Sequence, residues 1–95
     1  MKEAYKASLV TSDTVVLTGM GAIRQVTFAC NDAAPTAGQI DIYDGVSSSG
    51  TKIYSENFTT TPFRAYTVFI NREIVNGIFV DFTTTNDVNV VVTYD

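Results

Sequence analysis

The chain contains no histidine, no tryptophan and a single cysteine in 95 residues. Without histidine it lacks the commonest general base, the commonest metal ligand and every Ser-His or Cys-His dyad. Its lone cysteine, Cys30, can form neither an internal disulfide nor a thiolate zinc site. Cys30 ends the apolar run Val26-Thr27-Phe28-Ala29-Cys30 and reads as a buried small hydrophobe rather than a reactive thiol. No Gly-rich stretch ends in Lys-Ser or Lys-Thr, so a phosphate-cradling loop is missing too, and Thr18-Gly19-Met20-Gly21 marks only a bend.

Positive charge is also scarce. Lys2, Lys6, Arg24, Lys52, Arg64 and Arg72 are scattered along a chain of net charge −4, which is no footprint for nucleic acid. No apolar run reaches the length of a signal-peptide core or a membrane span, so synthesis in a cytoplasm and no membrane partner are expected. Carboxylates remain to be considered. Asp41 and Asp44 straddle Tyr43 ahead of a turn, but calcium needs about six to eight oxygens and the neighbouring chain offers few more. Asp41 therefore reads as a solvated strand residue and Asp44 as a residue that shapes its turn. Paired-carboxylate glycoside hydrolysis needs a deep cleft, which a domain of this size rarely encloses. The expectation is a non-enzymatic protein with no metal and no cofactor.

What is present points to sheet. Hydrophobic residues make up 45% and charged residues 17%, a globular balance that excludes disorder. Val, Ile, Thr, Phe and Tyr dominate while leucine occurs only as Leu9 and Leu17, a composition suited to pleated surfaces rather than helices. Ile40 and Ile42 alternate with Asp41 and Tyr43, and Asp44-Gly45 then signals a turn before Ser47-Ser48-Ser49-Gly50. Ile78, Val80 and Phe82 alternate with Phe79, Asp81 and Thr83, and Val88, Val90, Val92 and Tyr94 with Asn89, Val91 and Thr93. Further strands are expected at about Ala4–Val10, Thr14–Leu17, Ile23–Cys30, Thr51–Phe58 and Arg64–Ile70, with the segment at 38–58 a long-tipped hairpin. Asn31 to Ala37 reads as a loop, Thr84 to Asp87 as a turn, and Asn71 to Asn76 has room for a short turn of helix. Seven to eight short strands predict an all-β fold, a single antiparallel β-sandwich with a jelly-roll-like plan. Residues 1–95 then form one domain, with 1–13 an N-terminal arm or edge strand.

Function must come from surface recognition if it does not come from catalysis. Tyr43, Tyr54 and Tyr66 fall on strands, and outward tyrosines can stack on sugar rings or anchor a protein interface. They are the candidate interaction residues.

The motifs Gly38-Gln39-Ile40-Asp41-Ile42-Tyr43-Asp44-Gly45, Ser47-Ser48-Ser49-Gly50-Thr51-Lys52-Ile53, Asn76-Gly77-Ile78-Phe79-Val80-Asp81-Phe82 and the terminal Asp87-Val88-Asn89-Val90-Val91-Val92-Thr93-Tyr94 follow a recurrent pattern. Over residues 14–95 the chain resembles small β-sandwich virion proteins of tailed bacteriophages. The resemblance implies a capsid decoration or cement protein that binds the major capsid protein lattice on the virion surface as a homo-oligomer, dimer or trimer. A carbohydrate- or receptor-binding module of a fibre or tail component is the alternative it leaves open.

Overall fold

Strands this short, with alternating apolar residues, gain most by burying one side each against a second sheet. The computed structural model describes residues 5–30, 35–85 and 87–95. It contains β1 (Lys6–Val10), β2 (Thr14–Thr18), β3 (Gly21–Cys30), β4 (Gly38–Asp44), β5 (Thr51–Phe58), β6 (Tyr66–Ile74), β7 (Gly77–Thr83) and β8 (Val88–Tyr94). Sheet A has the order β1-β8-β3-β6 and sheet B the order β2-β7-β4-β5, with every pairing antiparallel. Among the described strands only β4 and β5 are neighbours both in sequence and in a sheet; the other consecutive strands lie in opposite sheets. That is the eight-stranded jelly roll, and the expected hairpin at 38–58 is its one intra-sheet connection.

The core lies between the sheets. Ile23, Val26 and Phe28 of β3 and Val88, Val90 and Val92 of β8 meet Ile40, Ile42, Ile78 and Val80 from sheet B, all with essentially no exposure. Each such side chain stabilises the fold by about 1.5–3 kcal/mol relative to an exposed one. One side of the sandwich is closed by rings: Phe28 lies 5.4 Å from Phe58 and 5.5 Å from Tyr66, and Phe63 of the β5–β6 connection bridges the last two.

Several local expectations change. The segment from Asn71 is strand rather than helix: β6 runs on to Ile74, and Asn71 takes a left-handed φ of 49° where β6 shifts register against β3. Asparagine tolerates that conformation better than most residues, so the bulge absorbs what looked like a break in the alternation. Cys30 is only partly buried, because it ends β3 rather than sitting mid-core. Residues 6–10 form an edge strand, while Ala4, residues 31–34 of the expected loop and Asn86 of the expected turn lie outside the described residues.

Two corners show how the crossings are fixed. Asp44 does not shape its own turn; its carboxylate accepts the backbone N–H groups of Val75 and Asn76 at 3.1 and 2.8 Å and so ties the β6–β7 turn to β4. Gly77 follows with φ +144°, where a Cβ would also press on Leu17 O at 2.5 Å. At the end of β7, Thr84 has φ +64°, costly for a β-branched residue. It is held by a three-residue turn, Thr85 N–H to Thr83 O at 2.8 Å, and by its own hydroxyl donating to Ala37 O at 2.8 Å.

Next to that turn Thr85 is 1% exposed and its hydroxyl has no hydrogen-bond partner. An unmade bond of this kind costs about 1–3 kcal/mol. Thr85→Val, which keeps the shape and removes the orphaned hydroxyl, is expected to stabilise the protein by about 1 kcal/mol, read as a higher denaturant midpoint at unchanged slope.

Candidate functional site

Alternation gives each sheet an outer face as well as an inner one, and the two outer faces differ in chemistry. On sheet B, register sets Asp81 of β7 directly opposite Asp41 of β4, and Tyr43 opposite Phe79. Asp13 reaches the same row, accepting the Phe82 backbone N–H at 2.7 Å. Three carboxylates thus share one sheet face.

Their surroundings separate them. Asp41 is 4% exposed, so it is not the solvated strand residue its polarity suggests; the Lys52 stem and Gln39 cover it. Burial pushes the Asp41 carboxyl up, but hydrogen bonds from Ser55 and Gln39 and the Lys52 ammonium 3.6 Å away outweigh burial and hold it below the ordinary range. Asp44 behaves alike, its burial outweighed by backbone donors at Asn76, Val75 and Gly77. Asp81 goes the other way: burial raises it first, and the neighbouring carboxylates of Asp13 and Asp41 raise it further. Among the described residues no group of three His, Cys, Asp or Glu is placed to hold a metal ion.

The three tyrosines are not assembled into one surface. Tyr43 is buried on the outer face of sheet B, its ring 6.3 Å from Phe79 and under the Lys52 ammonium at 5.8 Å. Tyr54 sits on the other side of sheet B, and Tyr66, on β6 of sheet A, faces it across the seam beside Phe28. The Tyr54 hydroxyl donates to Glu56. Burial and the Glu56 carboxylate together raise both phenols, Tyr66 to about 12. Tyr54 and Tyr66 therefore close the edge of the core, and no row of three rings faces solvent.

Sheet A carries a different surface. One row across it joins Leu9, Val91, Thr27 and Thr67 from β1, β8, β3 and β6 in turn. The next joins Ala7, Thr93, Gln25 and Phe69. Asn89 and Ala29 pair on the far side of the first row. None of these ten side chains is charged. Leu9 is 67% and Phe69 71% exposed, at opposite edges of the face. The Thr27 and Thr67 hydroxyls bond to each other at 2.8 Å, so part of the face's polarity is satisfied internally. At one end of the face charge returns, where Arg24 projects from the β3 bulge, pairs with Asp95 at 3.0 Å and covers the Tyr5 ring.

Such a face is what a second protein surface covers well: flat, without charges to desolvate, and carrying two large apolar side chains. It was not singled out from sequence, because its members come from four strands remote in the chain. The available signal was the lack of any charge at the outward alternate positions Gln25, Thr27 and Ala29 of β3 and Asn89, Val91 and Thr93 of β8.

Compared with known proteins, the chain matches no protein-family model, no curated protein and no solved structure.

The raised Asp81 gives a pH-dependent outcome. Its proton binds more tightly in the folded than in the unfolded chain, so its favourable contribution is complete below the unfolded value and is lost as pH rises through the folded one. At neutral pH the charged Asp81 is therefore a net cost. Asp81→Asn is expected to stabilise the protein at pH 7 by a few tenths to about 1 kcal/mol, and the gain should vanish below the ordinary carboxylate range, as read by urea unfolding across pH.

Proposed function

We propose that the chain is a non-enzymatic structural protein of a tailed-phage virion, a capsid decoration protein that seats on the major capsid protein lattice. The observation that carries the reading is the uncharged outer face of sheet A, with Leu9 and Phe69 exposed at its edges. The partner comes from the resemblance of the motifs at 38–45, 47–53, 76–82 and 87–94 to small phage β-sandwich proteins, and a jelly roll is an architecture that capsid proteins use. The mechanism is adhesive. Many copies each bury a modest apolar face on a symmetric shell, and the repeated contacts clamp neighbouring subunits against the pressure of packaged DNA. The alternative, a carbohydrate- or receptor-binding module, calls for an exposed aromatic platform, and Tyr43, Tyr54 and Tyr66 do not form one.

Co-sedimentation with undecorated phage capsids tests the reading. Saturable binding is expected, with a stoichiometry tied to the shell's symmetry and greater resistance of the shell to heat. Leu9→Asp and Phe69→Asp should each weaken binding by about tenfold or more, while Asp81→Asn on the opposite sheet should leave it unchanged. Absence of binding at high protein concentration, or equal binding by the Leu9→Asp and Phe69→Asp variants, would overturn it.

A further inference from the structure

We infer that in the free protein the outer face of sheet A is covered by a second copy of the same chain, giving a weak two-fold dimer. The inference rests on the reading of this face as the docking surface and names its occupant before any shell is bound.

Charge selects the partner. With a net charge of −4, two copies repel each other wherever their acidic groups meet. The row of Asp13, Asp81 and Asp41 lies on sheet B, across the whole sandwich from this face. Two copies joined through sheet A therefore turn those carboxylates outward and mate surfaces with no charge to desolvate.

Shape agrees with symmetry. A two-fold axis between the copies, parallel to the strands, lays the β1 edge of one chain over the β6 edge of the other. Leu9 and Phe69 stand at those two edges in adjacent rows, about 7 Å apart along the strands, so each Leu9 packs beside the other chain's Phe69, twice over. Between them lie the smaller Val91, Thr27 and Thr93, which let the faces close. Edge-to-edge pairing is disfavoured by comparison: three of the four edge strands, β2, β5 and β6, carry register shifts that break a flat edge.

Area sets the strength. Four strands about 4.8 Å apart, with two outward positions on each edge strand and three on each central one, make a face of about 20 by 20 Å, so the pair buries on the order of 1,000 Å² at most. That is the lower limit for a specific interface, and a dissociation constant of about 1–100 μM is expected. A dimer this weak yields its face to a shell that offers many sites at once.

Sedimentation velocity from low to high micromolar concentration tests the dimer. A reversible monomer–dimer equilibrium is expected, with Leu9→Asp and Phe69→Asp each weakening it at least tenfold and Asp81→Asn leaving it in place. A wild-type monomer at every concentration, or a dimer unaffected by Leu9→Asp and Phe69→Asp, overturns the inference. The two readings fail separately: a monomer that binds shells through this face removes only the dimer, and a face-to-face dimer that ignores shells removes only the virion role.

Discussion

The structure depends on where β8 goes. The last strand of the chain inserts between β1 and β3, hydrogen-bonding to both, and without it sheet A is two separate pieces. Val88, Val90 and Val92 on one side of β8 are almost fully buried, so the same residues that complete the hydrogen-bond ladder also complete the hydrophobic centre. Register and burial cannot be separated here. A slip of one residue would turn three core valines to solvent and bring Asn89, Val91 and Thr93 inward.

That dependence has a kinetic side and a functional one. β1 must wait for β8 before it joins β3 and β6 in sheet A, and pairing that distant in sequence folds slowly. Until β8 docks, β1 has no sheet partner and one side of β3 is open, an unpaired edge of the kind that invites aggregation. The same insertion builds the uncharged outer face of sheet A. Leu9, Val91, Thr27 and Thr67 come from near the start, the end and the middle of the chain and become a row only because β8 bridges β1 to β3. Fold and surface thus have a common cause.

This explains what was legible from sequence and what was not. Strand positions and the sandwich plan followed from alternation, which is a local signal, and the hairpin at Gly38–Phe58 followed from turn residues beside it. The extension of β6 through Asn71 to Ile74 did not, because a left-handed bulge residue imitates a strand end until the partner strand is known. Asp41 was misjudged for a related reason. Its type argues for solvent, and only the neighbouring strand shows that Gln39, Ser55 and Lys52 satisfy its carboxylate while covering it. Tyr43, Tyr54 and Tyr66 failed to form a common surface because Tyr43 and Tyr54 lie on opposite sides of sheet B and Tyr66 belongs to sheet A. Local chemistry predicted elements; residues whose roles depend on cross-strand neighbours were visible only in three dimensions.

The contrast between the two outer faces is the last step. A jelly roll needs both inner faces apolar but places no such demand on the outer ones, so their composition is free to serve something other than folding. Sheet B uses that freedom as soluble domains commonly do, with carboxylates, a lysine and amides, and it accepts the cost of charging Asp81 beside Asp13 and Asp41. Sheet A gives it up. Ten outward positions without a charge sacrifice solubility on a chain of this size and stabilise no part of the core. Folding alone supplies no reason for such a surface. A covering protein does, since uncharged side chains are the ones that lose least when water is removed.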